Sequence, residues 1–223
     1  SNSAAATLGV PLSTAATLVS RNLSTLSGAR VTTAPGRTLA ISQSAINNPI
    51  QNEGLIHAQG NTSVLSGAVT TAAGSTIRVA TIPAFTTVAL TVANGFTNNG
   101  TIVLSNDRTG TISATLNVTS GTLTNAAGGT ISSELGSGTG GARTLGAQID
   151  NQGTVTVAQP LTIARASSDH TNSGTITVSG GDLTLTQNGT TPSFTNTGAI
   201  TVSPSRTVFV SGGVFDHLSG SLG

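Results

Sequence analysis

The feature that most constrains this fold is a short motif that recurs along the chain. It consists of an apolar or aromatic residue, a polar residue, Asn, any residue, Gly, and then a short run with alternating β-branched residues. The clearest copies are FTNNGTIVL from Phe96, IDNQGTVTV from Ile149, HTNSGTITV from His170 and FTNTGAITV from Phe194. Weaker copies are IQNEGLI from Ile50, VTTAAGSTI from Val69, LTNAAGGTI from Leu123 and FDHLSGSL from Phe215. Successive Asn positions are about 24 residues apart on average, which is a spacing typical of solenoids and repeat arrays.

The pattern inside each repeat indicates a β-solenoid. Apolar residues alternate with period two, no repeat shows the helical 3.6-residue period, and a unit of this length is too short for a propeller blade. The alternation places one set of residues inward, for example Ile102 with Leu104 and Ile176 with Val178, and places Thr, Arg78 and His57 outward. We therefore predict an all-β, single-stranded parallel β-helix of about nine coils, right-handed because crossover connections generally are. It forms one domain over residues 1–223, with irregular coils in 1–45 and regular Asn-x-Gly repeats in 46–223.

The recurring Asn and Gly predict a stacked turn. A short amide can hydrogen-bond nearby main chain and tolerates left-handed backbone angles, and Gly supplies positive φ in the same turn. Equivalent amides in successive coils are expected to form a ladder. The predicted ladder residues are Asn52, Asn98, Asn125, Asn151, Asn172 and Asn196, followed by Gly54, Gly100, Gly153, Gly174 and Gly198.

Composition excludes several classes of function. Only 7% of residues are charged and 2% aromatic, and the eight basic residues are all Arg, spread singly along the chain. Nucleic-acid binding needs clustered cations and usually aromatic side chains, so it is not expected. The chain has no Cys, which excludes disulfides and thiolate metal sites. Its long uncharged stretches contain too much Thr, Asn, Gly and Pro to predict a membrane-spanning segment.

The titratable residues suggest no chemistry. No two carboxylates lie within three residues of one another, and His57, His170 and His217 are isolated in sequence. We therefore predict no catalytic, metal or cofactor site, and expect the acidic side chains to lie on solvated surface. The acidic residues are Glu53, Asp107, Glu134, Asp150, Asp169, Asp182 and Asp216.

The copies LTNAAGGTI, FTNTGAITV and IDNQGTVTV resemble the degenerate repeats of large bacterial surface adhesins, including filamentous-haemagglutinin-like proteins and autotransporter passengers. The likeness covers residues 50–223. It implies a secreted or surface-displayed β-helical segment that serves as an elongated scaffold in attachment, aggregation or biofilm formation. Its expected partners are other copies of itself or cell-surface polysaccharides. The alternatives are a self-assembling fibre or sheath subunit, a polysaccharide-active β-helix enzyme, and a solenoid that binds ice through its outward Thr residues.

Overall fold

A computed structural model describes residues 5–14, 17–22 and 25–223. These residues form β-strands and no helix, so the described part of the chain contains no helix that could cross a membrane. The strands, in chain order, are β1 (Ala5–Leu8), β2 (Leu12–Thr14), β3 (Leu18–Arg21), β4 (Thr25–Gly28), β5 (Val31–Thr33), β6 (Thr38–Ser42), β7 (Ala45–Ile46), β8 (Ile50–Asn52), β9 (Leu55–Leu65), β10 (Val69–Thr71), β11 (Thr76–Thr81), β12 (Val88–Asn98), β13 (Thr101–Asn106), β14 (Ala114–Asn125), β15 (Thr130–Ser133), β16 (Arg143–Asn151), β17 (Thr154–Val157), β18 (Leu161–Ala164), β19 (Asp169–Asn172), β20 (Thr175–Val178), β21 (Leu183–Thr186), β22 (Ser193–Asn196), β23 (Ala199–Val202), β24 (Val208–Ser211), β25 (Val214–His217) and β26 (Ser221–Leu222).

The strands stack as a parallel β-solenoid of about nine turns, with equivalent residues about 23 positions apart. Each strand pairs with the equivalent strand of the next coil, as β17 pairs with β20 and β20 with β23. The predicted all-β parallel solenoid is confirmed. It follows from the repeat itself, because equal apolar positions in successive coils can be buried only by stacking those coils in register.

Three faces run along the solenoid. Face one holds the strands that follow the Asn-x-Gly turn: β3, β6, the start of β9, β11, β13, β15, β17, β20, β23 and β26. Face two holds β1, β4, β7, the end of β9, the starts of β12, β14 and β16, then β18, β21 and β24. Face three leads into the Asn position and holds β2, β5, β8, β10, the ends of β12, β14 and β16, then β19, β22 and β25.

The core is a set of apolar columns inside these faces. One column of face one pairs in register from coil to coil, and every member is buried: Leu39, Ile56, Ile77, Ile102, Ile131, Val155, Ile176 and Ile200. Burying one such side chain contributes roughly 1.5–3 kcal/mol. The alternation predicted from the sequence therefore sets which side of each strand faces inward.

The N-terminal coils are more regular than the sequence indicates. Thr14, Thr33, Asn52 and Thr71 pair in register at a constant interval of 19 residues. Irregular coils are predicted over 1–45, and the register at Thr14 and Thr33 differs from that prediction because Thr stands at this position in place of Asn. In the sequence, LSTLSGARV from Leu23 echoes the closing FDHLSGSL, and Leu23 itself lies outside the described residues.

Candidate functional site

Five of the predicted ladder asparagines form one continuous chain of side-chain hydrogen bonds. It lies at the turn from face three to face one, which we call the ladder corner. The Nδ2 of Asn98 donates to Oδ1 of Asn125 at 2.8 Å, and the contact continues through Asn151, Asn172 and Asn196 at 2.7, 2.6 and 2.6 Å. All five side chains are buried. Each amide therefore ties its own coil to the next one, and none of these residues has the left-handed backbone angle predicted for them.

Asn52 does not join this chain. Its Nδ2 donates instead to the Thr76 carbonyl at 3.0 Å, and the next coil places Thr71 at the ladder position. The Thr71 hydroxyl donates to the Thr97 carbonyl at 3.1 Å and accepts the Asn99 N–H. The Oδ1 atoms of Asn52 and Asn98 are buried without a hydrogen-bond partner in the described structure, because the preceding coils place Thr33 and Thr71 where an amide would donate. The ladder thus begins at Asn98.

The glycines that follow these asparagines are needed for a different reason from the one predicted. None of the five has a positive φ, so the prediction of left-handed turn geometry is wrong. A Cβ on any of them would collide with a carbonyl oxygen of the preceding coil, at 2.1 Å for Gly174 and Gly198 and at 2.2–2.3 Å for Gly54, Gly100 and Gly153. Gly is required because the main chains of successive coils nearly touch at this corner.

The turn from face one to face two, which we call the insertion corner, differs in length from coil to coil. Three consecutive coils have long connections of six, seven and nine residues (82–87, 107–113 and 134–142), whereas the following three have three to five. Neighbouring connections are joined by hydrogen bonds, for example from the Thr139 N–H to the Gly110 carbonyl at 3.1 Å and from Arg108 Nη1 to the Phe85 carbonyl at 2.6 Å. The three insertions therefore form one layered protrusion.

A buried arginine supports this protrusion from inside. Arg143 has no exposed surface and occupies an inward position of face two, paired with Ala114 and Leu161. Its guanidinium donates to the carbonyls of Ile112 at 2.7 Å, Glu134 at 3.0 Å and Gly141 at 3.1 Å. Burial lowers the pKa of Arg143. In the sequence, Arg143 is distinguished only as a charged residue at an apolar position of a strand, and it is not among the predicted site residues.

Four titratable side chains from successive coils meet beside the protrusion, and we call them the charged cluster: His57, Arg78, Asp107 and Glu134. Arg78 makes a two-point contact with Asp107, in which Nε lies 2.9 Å from Oδ2 and Nη2 contacts Oδ1. Its Nη1 is 3.9 Å from Glu134 Oε2. His57 Nε2 lies 3.5 Å from Asp107 Oδ2 and 3.1 Å from the Ala80 carbonyl oxygen. The sequence analysis assigned these acids separately to solvated surface, but the fold brings them together.

Electrostatics make the charged cluster a cross-coil ion network. Burial alone would raise the pKa of Asp107, but the hydrogen bonds and charge of Arg78, with a smaller effect of His57, lower it below its usual value. The same contact raises the pKa of Arg78. Burial lowers the pKa of His57, against the opposing effects of the Ala80 carbonyl and Asp107. Asp107 is therefore held as a carboxylate with its partner in place, which suits an ion pair better than a general acid.

The remaining titratable residues lie apart from this cluster. Asp150 accepts a hydrogen bond from Thr171 at 2.6 Å, Asp169 from Ser193 at 2.7 Å, and Asp182 from the Thr207 N–H at 2.9 Å. His217 lies 2.9 Å from Asn196 Nδ2, at the last ladder position. Among the described residues, no group of three or more His, Asp or Glu side chains is arranged to hold a metal ion.

The outer side of face one carries two columns of side chains, one of which consists of hydroxyl groups from Thr76 to Thr175. Five threonines pair in register along one outward column: Thr76, Thr101, Thr130, Thr154 and Thr175. The second outward column continues from the charged cluster into uncharged residues, namely Val103, Ser132, Thr156, Thr177 and Thr201. Face one is therefore charged beside the insertions and neutral beyond them.

The chain matches no protein-family model, no curated protein and no solved structure.

Proposed function

We propose that this chain is an elongated scaffold segment of a secreted or surface-displayed bacterial protein, acting in attachment, aggregation or biofilm formation. The observation that carries the proposal is the continuous stack of coils with neutral hydroxyl columns on its outer side. Coils spaced about 4.8 Å apart give a rod of roughly 45 Å. Such a rod offers a large, repetitive outer surface for weak multivalent contacts.

The resemblance of the repeats to those of large bacterial adhesins supports the same role. In such repeats the architecture is the shared property, and a specific ligand need not be encoded in each segment. The proposed partners are cell-surface polysaccharides or further copies of the chain.

Surface display tests this proposal. The chain is displayed on a non-adherent bacterial strain, and settling of the cells and their retention on polysaccharide-coated surfaces are measured. We expect both to exceed those of cells that display an unrelated domain at equal density. A triple variant with Thr130→Lys, Thr154→Lys and Thr175→Lys should lose retention, whereas the matched triple variant Thr97→Lys, Thr124→Lys and Thr195→Lys on face three should keep it. Retention of the parent chain at the control level would refute the adhesive role.

A second candidate, a self-associating fibre or sheath subunit, is favoured by Phe209. This aromatic side chain pairs with Thr184, lies in the outward column of face two and is 58% exposed. An outward aromatic residue in a column with the neutral side chains of Thr162 and Thr184 is suited to lateral packing against another molecule. Light scattering at rising concentration would show assembly that Phe209→Thr abolishes if this candidate is correct, and concentration-independent monomers if it is not.

We propose that the chain has no enzymatic activity. The support is the pairing of Asp107 with Arg78, which leaves the best-placed carboxylate engaged in an ion pair. A panel of polysaccharides assayed for new reducing ends and unsaturated products tests this. Turnover that Asp107→Asn or Glu134→Gln abolishes would assign catalysis to the charged cluster instead.

A further inference from the structure

Two residues before each ladder position, face three has a second inward column. It contains one polar side chain among apolar ones. Phe96, Leu123 and Ile149 precede His170 in this column, and Phe194 and Phe215 follow it. The His170 side chain is almost completely buried, and its ring centroid lies 6.2 Å from that of Phe194, which in turn stacks on Phe215 at 5.6 Å. A histidine thus takes the place that an aromatic or aliphatic residue takes in the neighbouring coils.

One hydrogen bond requires the His170 ring to be neutral. The Nδ1 atom of His170 accepts the backbone N–H of Ile149 in the preceding coil, at 3.2 Å. Nδ1 must therefore be unprotonated, with the ring proton on Nε2. Protonation of Nδ1 would direct one donor against another and would place a charge in the apolar column.

The charged groups around His170 do not compensate for that charge. Burial lowers its pKa to about 4, Asp169 opposes this effect, and Arg165 adds to it. The carboxylate of Asp169 is engaged by the Ser193 hydroxyl at 2.7 Å, and that of Asp150, on the neighbouring strand β16, is engaged by Thr171. Phe194 covers the opposite side of the ring and carries no charge.

We propose that His170 makes its own coil, residues 161–178, sensitive to acid. On acidification this coil opens before the coils on either side. The loss of the Ile149 hydrogen bond and the burial of a cation act on the same two strands, β16 and β19. Opening there would expose unpaired strand edges of the adjoining coils. A continuous rod would become two shorter rods joined by an open segment.

The direction of the pH dependence follows from linkage. The folded pKa of about 4 lies below the unfolded value of 6.5, so the stabilising effect is complete above pH 6.5 and is lost as the pH falls towards 4. If the opened coil exposes the imidazole, the equilibrium constant for opening of the coil should increase about twenty-fold as the pH falls from 7 to 5.

Hydrogen exchange measured by NMR on the whole chain tests the proposal. The protection factor of the Ile149 amide, corrected for intrinsic exchange at each pH, should fall about twenty-fold between pH 7 and pH 5. The Ile131 amide, in a coil without a buried histidine, should keep its protection. His170→Phe, which copies Phe194, should remove the pH dependence at Ile149.

Two further measurements keep the test decisive. The ring resonances of His170 in the parent chain should titrate near the lowered pKa, which is measurable even if His170→Phe fails to fold. His57→Gln, in a distant coil, should leave the pH dependence at Ile149 intact. Titration of the folded His170 ring at its unfolded value, or equal loss of protection in all coils, would overturn the proposal.

Discussion

The two corners that flank face one are built on opposite principles. The ladder corner is made of neutral, buried amides and glycines that cannot accept a Cβ, and the insertion corner holds partly exposed ions and connections of three to nine residues. At the first corner successive main chains nearly touch, so residue identity is restricted. At the second the chain loops outward, so length and charge can vary. The same residue types therefore recur where successive coils are in closest contact.

The largest effect should come from interrupting the middle of the ladder. Asn125→Ala would remove one acceptor of Asn98 Nδ2, which keeps the Gly100 and Thr130 carbonyls, and would leave the buried Asn151 Oδ1 without its donor. Because the unsatisfied Asn151 Oδ1 costs about 1–3 kcal/mol, and the hydrogen bonds from Asn125 Nδ2 to the Gly129 and Thr154 carbonyls are lost at about 1 kcal/mol each, we expect a loss of roughly 3–5 kcal/mol in the free energy of unfolding. Urea unfolding followed by circular dichroism measures it. The exposed Asn188→Ala should change stability by less than about 0.5 kcal/mol, and equal effects of the two variants would contradict a stabilising ladder.

A second substitution tests whether close approach or backbone angle demands Gly at the ladder corner. Gly174 and Gly128 both lack positive φ, but a Cβ would lie 2.1 Å from the Gly153 carbonyl oxygen at Gly174 and would meet nothing within 4 Å at Gly128. Gly174→Ala should therefore destabilise the chain by about 2–3 kcal/mol through overpacking. Gly128→Ala should be neutral or slightly stabilising. The urea midpoints of the two variants should separate, and coinciding midpoints would exclude the steric explanation.

The insertion corner should respond less. Asp107→Asn removes the charge partner of Arg78, but both side chains are partly exposed, at 28% and 23%. A partly solvated ion pair contributes about 1 kcal/mol, and less at high salt. We expect a loss of that size at low ionic strength that shrinks in 1 M salt, with Asp216→Asn as the unpaired control. A loss as large as that of Asn125→Ala would remove the distinction between the two corners.

The smallest effect should be a gain. Thr71→Asn would place an amide between Asn52 and Asn98, where the Asn98 Oδ1 has no partner. One additional buried hydrogen bond is worth about 1 kcal/mol, reduced here because Thr71 already bonds the Thr97 carbonyl and the Asn99 N–H. We expect stabilisation of about 0.5 kcal/mol, measured as a higher urea midpoint. Destabilisation would show that Thr71 is better suited to this coil than an amide.

More of the ladder corner than of the insertion corner can be predicted from the sequence. The ladder of Asn98 to Asn196 is visible in the sequence because each coil repeats the same local motif. The charged cluster is not, since His57, Arg78, Asp107 and Glu134 are separated by 21–29 residues and belong to coils of unequal length. Whether they meet depends on how the insertions are accommodated, and a mean period cannot specify that. The partners of Arg143 cannot be predicted for the same reason, because they are carbonyls of two insertion loops.

The sequence by itself determined the period, the inward and outward residues of each strand and the position of the amide turn, since these depend on local alternation and repetition. The tertiary structure alone decided which coils share ions, where the ladder breaks and why Gly follows Asn. Those properties depend on contacts between coils, where a distance of a few tenths of an ångström separates a hydrogen bond from a collision. The 19-residue register that continues from Asn52 back to Thr33 and Thr14 belongs to the same group, because these two coils carry Thr where the motif has Asn and strand pairing reveals the equivalence.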